Sequence, residues 1–119
     1  GLIINVSSWS GNHVSLLSGV SYTSSKHALN AMTETINMKY CNLGIRATAL
    51  CPGEVATAIL DKRPKKLSKE QKNKMLQPDD LGQTIVFLCQ MPKHVCINEL
   101  TISPTWHRRY IADLGIEEL

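Results

Sequence analysis

Tyr22 and Lys26 stand four residues apart, a spacing that puts both side chains on one face of a helix. A phenol beside an ammonium is a potential acid/base pair. A free tyrosine titrates at about 10, and bringing it to neutrality takes roughly 4 kcal/mol. An ammonium about 4 Å away supplies about 4 kcal/mol at an effective dielectric of roughly 20, but only about 1 in bulk water. The pair can therefore exchange protons at neutral pH where solvent is partly excluded. The pattern Y-x-x-x-K is common, however, and an exposed tyrosine and lysine on a helix surface satisfy it equally, so context must decide.

Two further polar stretches supply that context. Asn5-Val6-Ser7-Ser8 places hydroxyls at the end of an apolar, β-branched run, and Pro52-Gly53-Glu54-Val55-Ala56-Thr57 follows a second such run. Residues 2–8 read as a strand, nearly continuous in apolarity and suited to burial on both faces. Residues 9–21 form a Ser- and Gly-rich loop. Residues 22–42 read as a helix with Leu29, Met32, Ile36 and Tyr40 as its apolar stripe, widened by Ala28, Ala31 and Thr35. Gly44 suits a left-handed position that closes it. Residues 45–51 are the next strand. Pro78-Asp79-Asp80 opens a helix that carries Leu81, Ile85, Phe87, Leu88 and Met91 and stops at Pro92. Residues 97–102 are a last short strand. Strands alternating with helices predict an α/β fold with a parallel sheet and right-handed crossovers. In open α/β sheets ligands bind at the C-terminal ends of strands, so the three polar features converge on one crevice.

Asn-Val-Ser-Ser, Tyr-Thr-Ser-Ser-Lys and Pro-Gly-Glu-Val-Ala-Thr, in that order, resemble the short-chain dehydrogenase/reductase family over roughly residues 1–105. Asn98-Glu-Leu-Thr-Ile-Ser-Pro-Thr is similar to the last strand of many members. The resemblance implies the C-terminal half of a doubly wound, Rossmann-like parallel sheet with helices on its faces, as one domain over residues 1–119. The activity it implies is interconversion of a small alcohol and a carbonyl with NAD or NADP. Ser8 would hydrogen-bond the substrate oxygen, and Ser7, on the opposite face by strand alternation, would be structural. Tyr22 would give or take the proton. Lys26 would tune Tyr22 and hold the nicotinamide ribose. Pro52, Gly53, Val55 and Thr57 would line the nicotinamide, although an ordinary turn reads the same way without the tyrosine motif. Residues 59–76 would form a substrate lid. The family's glycine-rich dinucleotide loop is absent: Gly11, Gly19, Gly44 and Gly53 do not form G-x-x-x-G-x-G. The chain then reads as a fragment that binds dinucleotide poorly by itself and folds marginally. In the intact protein the family implies a homodimer or homotetramer, with Ala28, Ala31 and Met32 available for the contact.

Composition narrows the alternatives. With 119 residues, 43% apolar and 19% charged, the chain suits one globular domain. It has no apolar run of the roughly 20 residues that cross a bilayer. Cys41, Cys51, Cys89 and Cys96 form no C-x-x-C pair, which favours reduced thiols in the cytoplasm. Cys89, His94 and Cys96 lack a fourth ligand, so no metal is expected. His13 lies in the loop that would border the substrate, whereas Trp106 and Tyr110 read as packing residues. Residues 62–74 hold seven of the thirteen basic residues against Glu70 alone, a local charge of +6 that leaves −3 elsewhere. Such a run could bind nucleic acid or phosphate, but without interleaved aromatics it reads as a solvated segment and no nucleic-acid partner is expected. An anionic substrate is a further reading of it. Two other functions remain open at this stage: a non-catalytic remnant that acts as an interaction module, and a basic nucleic-acid-binding segment.

Overall fold

The computed structural model of the chain describes residues 1–117. Three parallel strands, β1 (Leu2–Val6), β2 (Arg46–Pro52) and β3 (Glu99–Ile102), lie side by side in chain order. Leu2 pairs with Arg46 and Val6 with Leu50, while Ala49 pairs with Glu99 and Pro52 with Ile102. β2 is central. Its residues 47–52 are all buried, and Ala47, Leu50 and Cys51 are fully so. β1 departs from the expected burial on both faces. It pairs with β2 alone among the described residues, and Ile3 and Val6 remain 41% and 50% exposed.

The helix α1 (Gly19–Tyr40) joins β1 to β2 and begins three residues earlier than predicted. Tyr22 therefore sits within its first turn rather than at its start. A 3-10 turn over Cys41–Leu43 and Gly44, at φ 73°, end it; that left-handed position admits glycine without strain. The expected stripe of Leu29, Met32, Ile36 and Tyr40 turns inward in part: Leu29 and Ile36 are half-buried. Met32 is 50% exposed and Tyr40 39%. The rest of the inward face is polar: Thr23 and Thr33 are buried, and Lys26, Asn30 and Asn37 are half-buried like Leu29 and Ile36.

Hydrogen bonds add to the apolar contact of Leu29 and Ile36. Thr33 Oγ1 donates to the Leu29 carbonyl at 2.8 Å and accepts from Asn5 Nδ2 at 3.0 Å. Asn37 Nδ2 donates to the Ala47 carbonyl at 2.8 Å, and Asn37 Oδ1 accepts from the Ala47 N–H at 2.6 Å. Asn30 Nδ2 approaches Cys51 Sγ at 3.7 Å. Thr23 Oγ1 is the exception, buried with no partner among the described residues.

After β2 the chain runs through a 3-10 turn at Ala58–Lys62 and a short helix α2 (Lys69–Asn73), whose Ser68 and Gln71 cap each other reciprocally. A parallel bridge between Val55 and Leu76 closes this excursion at its base, and Leu60, Met75 and Leu76 anchor it. α3 (Pro78–Cys89) follows, with Pro78 in its first turn and the Asp80 carboxylate accepting from the Gln77 N–H at 2.7 Å. A final helix α4 (Arg108–Asp113) buries Ile111.

The two long helices lie on opposite faces of the sheet. α1 meets the pleat positions of Asn5 and Cys51. On the other face Arg46 donates to the carbonyls of Met91 and Pro92 just beyond α3, and Leu100 and Ile102 share a cleft with Thr84 and Phe87. Both connections step across the sheet in the same direction, so their hands must differ. One of the two departs from the right-handed rule that the sequence reading applied to both.

Asn37 replaces a missing strand at the end of β2, because β3 pairs only from Ala49 onward. Asn37→Ala should leave the N–H of the fully buried Ala47 unpaired and its carbonyl with the Cys96 thiol alone, at 3.6 Å, and cost about 1–3 kcal/mol, read as a lower urea midpoint. A change below roughly 0.5 kcal/mol would show that water replaces the amide without loss.

Candidate active site

β1 and β2 end side by side, since Ser7 N–H donates to the Leu50 carbonyl at 2.7 Å. Ser7 is buried, and its hydroxyl reaches the Lys26 carbonyl at 3.4 Å, which ties the strand end to α1. Ser8 is extended, at φ −164°, and caps the 3-10 turn Trp9–Gly11: its Oγ accepts from the Ser10 N–H at 3.1 Å. That bond leaves the Ser8 proton available to another oxygen.

Lys26 Nζ donates to the Val6 carbonyl at 3.1 Å, at the C-terminal end of β1, and lies 5.6 Å from the centre of the Tyr22 ring. The ammonium has two further N–H groups. Tyr22 is 46% exposed and faces a cavity of about 830 Å³. Ser8, Tyr22, Pro52, Gly53, Val55 and Thr57 all line that cavity. Lys26 does not; it stands behind Tyr22, drawn to the strand end.

The far walls of the cavity come from later segments. Leu60, Arg63, Lys74 and Met75 line it from the excursion after β2, and Trp106, His107, Arg108 and Arg109 from the approach to α4 and its first residues. Glu54 Oε2 sits between Arg63 at 3.1 Å and Arg108 at 3.2 Å. Trp9 stacks on His13 with ring centres 4.1 Å apart, and tilts against His107 at 4.7 Å. His107 stacks in turn on Tyr110 at 4.0 Å. Sequence reasoning missed both clusters. Their members are separated by up to 101 positions, and no local pattern links them. Among the described residues, no three or more His, Cys, Asp or Glu side chains are grouped to hold a metal ion.

A nicotinamide dinucleotide can be tested against these donors. The two spare N–H groups of Lys26, the Tyr22 phenol and the apolar edge at Pro52 and Val55 suit the ribose and nicotinamide end. A glycine-rich phosphate turn is not found among the described residues: the turn between β1 and α1 runs through serines, and Gly19 alone there has a positive φ.

Residues 1–68 match the family model described as short chain dehydrogenase. Dehydrogenase/reductase SDR family member 11 of Homo sapiens is 33% identical over 113 residues, covering 88% of this chain and 44% of that protein. The chain belongs to the short-chain dehydrogenase/reductase family. An uncharacterized oxidoreductase of Staphylococcus aureus is 31% identical over 104 residues, covering 87% of the chain and 42% of the relative. A betaketoacyl-[ACP] reductase from Bacteroides thetaiotaomicron superimposes with a TM-score of 0.70 at 32% identity, over 93% of this chain and 43% of that one. An alcohol dehydrogenase from the archaeon Thermococcus sibiricus, solved with 5-hydroxy-NADP, gives a TM-score of 0.73 at 27% identity over 91% and 43%. The chain thus spans a little over two-fifths of the relatives it matches.

These matches correct the reading of the chain as a C-terminal half. The family match falls on residues 1–68, the N-terminal, Rossmann part of this chain, and likeness to solved structures extends over 91–93% of it. Motif order alone does not fix the portion of the domain. Membership of the family and the α/β class stand, as does an oxidoreductase ancestry.

Cys51 lies directly beneath the strand ends. Burial pushes its thiol pKa up, and the nearby Glu99 carboxylate adds to the rise, against weaker hydrogen bonds from Asn30, Ser7 and Ser8. Its thiolate is therefore disfavoured at neutral pH. Iodoacetamide on the folded protein at pH 7.5 (roughly 1 unit below a free thiol's pKa) should modify the exposed Cys41, Cys89 and Cys96 and spare Cys51. Peptide mass mapping that finds Cys51 alkylated at the same rate as the other three would contradict the burial of β2.

Proposed function

We propose that the protein is an NAD- or NADP-dependent oxidoreductase that interconverts an alcohol and a carbonyl, with Ser8, Tyr22 and Lys26 as its acid/base site. The observation that carries this reading is that one cavity gathers Ser8, Tyr22 and the Pro52–Thr57 turn from three separate segments, with Lys26 fixed behind the tyrosine. The short-chain dehydrogenase relatives support it, and the likeness to an enzyme solved with 5-hydroxy-NADP supports the cofactor class.

In the oxidative direction Ser8 Oγ–H donates to the substrate oxygen and holds it near the Tyr22 phenol. Tyr22 accepts the alcohol proton as the carbon–hydrogen bond breaks, and returns it in the reductive direction. A bound nicotinamide ring supplies the hydride acceptor or donor. Lys26, held on the Val6 carbonyl behind Tyr22, turns its free N–H groups to the ribose hydroxyls. Gly53 donates its N–H to the Ile102 carbonyl at 2.7 Å, which fixes the turn that carries Val55 and Thr57 toward the cavity. Residues 59–76 serve as the substrate lid, bridged at their base by Val55 and Leu76. The exposed Ala28, Ala31 and Met32 on α1 support association into a homodimer or homotetramer. No described helix is long and apolar enough to cross a membrane.

Tyr22→Phe in the intact protein should lower turnover of secondary alcohols by roughly 100-fold or more while cofactor still binds. Reduced-nicotinamide absorbance reads the first quantity and cofactor fluorescence the second. Unchanged turnover would remove Tyr22 from the chemistry. Lys26→Ala should weaken cofactor affinity by about tenfold, the loss of one charge-assisted hydrogen bond. Equal affinity of the two proteins would show that Lys26 only braces the end of β1.

A further inference from the structure

The cavity offers more than an alcohol group needs. Val14, Leu17, Ile59, Leu60 and Met75 give it an apolar wall, and its volume of about 830 Å³ suits a ligand with a sizeable apolar body. Cations reach it from three separate places: Lys62 and Arg63 after β2, Lys74 after α2, and Arg108 and Arg109 at the start of α4. Against these five, Glu54 is the one carboxylate among the described lining residues, and Arg63 and Arg108 already hold it. Lys74 lies 4.1 Å over the Trp106 ring and 3.9 Å from Glu70. Lys62 and Arg109 form no ion pair among the described residues. A concave site with low-dielectric walls concentrates the field of such charges on whatever enters it.

Building on the redox reading above, we propose that the substrate is an amphipathic anion: a secondary alcohol or ketone on an apolar body that ends in a carboxylate, with Lys62 and Arg109 holding the carboxylate. The apolar body lies along the Leu60 and Met75 wall, and the reacting carbon faces Tyr22. Arg63 and Arg108 keep Glu54 neutralised, so that the one acid in the wall does not repel the substrate.

The probe is 11-hydroxydodecanoate, whose alkyl chain separates a secondary alcohol from a terminal carboxylate, compared with its methyl ester, which is more apolar and uncharged. Trp9 and Trp106 both line the cavity, so quenching of tryptophan fluorescence in the intact protein reads binding without cofactor. The acid should bind roughly tenfold more tightly than the ester at low ionic strength. The ratio should shrink as salt is added and fall toward unity in the Lys62→Gln, Arg109→Gln double variant. Both residues are exposed, and a far-UV spectrum establishes that the variant is folded. An ester that binds as well as the acid overturns the proposal. So does a double variant that loses NADP affinity while keeping its acid-over-ester ratio, because the cations then serve the cofactor's phosphates.

Turnover with NAD or NADP, measured in parallel, separates this proposal from the reading beneath it. Acid and ester oxidised with equal kcat/KM would overturn the anionic class and leave the dehydrogenase standing. Acid-selective binding with no turnover of any secondary alcohol would uphold the anion site and remove the redox assignment.

Discussion

The seat of α1 on the sheet governs everything at the site, and it is made of hydrogen bonds. A helix laid on a strand by apolar side chains alone can rotate or slide at small cost, because dispersion is non-directional. Asn37 clasping both backbone groups of Ala47, Thr33 bonded to Asn5, and Lys26 on the Val6 carbonyl fix the helix at three heights along its length. Its rotation is thereby set to within hydrogen-bond tolerance. Tyr22 lies one turn before Lys26, so the bond that anchors the lysine also aims the phenol. Positioning to a fraction of an ångström is what proton transfer demands, and polar anchors supply it where oily ones do not.

The same feature explains what could and could not be read in the sequence. Strand and helix order, the glycine that ends α1 and the start of α3 at Pro78 were all legible, because each is a local signal: β-branched runs, a left-handed position, a proline in the first turn. The buried face of α1 was not. Periodicity assigns burial to apolar side chains, and here Met32 and Tyr40 of the expected stripe turn outward while Thr23 and Thr33 take the buried positions. A stripe of threonine, lysine and asparagine looks solvated until the strand ends that satisfy it are known. The exposure of Ile3 and Val6 has a related cause. A continuous apolar run announces a strand with partners on both sides, and the described residues supply β1 with one.

The candidate site was legible in part for a different reason. Ser8, Tyr22 and the Pro52–Thr57 turn each follow or adjoin a strand that reads clearly, and parallel strands in one sheet bring their C-terminal ends to one edge. Topology alone thus predicts that they meet. The remaining walls obey no such rule. Glu54 with Arg63 and Arg108, and Trp9 with His13, His107 and Tyr110, depend on how the segments after β2 and β3 fold back. Those paths are set by tertiary contacts of Leu60, Met75, Leu76 and Ile111 that no short window of sequence encodes. The portion of the family domain was likewise misjudged from motif order, since a shared sequence of strand ends does not say how far the matched fold extends.

The two halves of the cavity also differ in what holds them. The Tyr22 side rests on β2, buried over residues 47–52, and on the paired ends of parallel strands. The opposite side rests on a few buried anchors, Leu60, Met75, Leu76 and Ile111, and between them on partly exposed pairs: Glu54 with its arginines, Lys72 with Asp61, Lys74 with the Trp106 ring. Pairs of that kind contribute about 0–1 kcal/mol each, far less than the buried scaffold. Local opening follows the weaker contacts, so residues 61–74 can shift about the buried Leu60 and Met75 while Ser8, Tyr22 and Lys26 keep their places. Chemistry that needs fixed geometry therefore sits on strand ends and one hydrogen-bonded helix, and recognition that must admit and release a ligand sits on a segment that exposed pairs hold between its buried anchors.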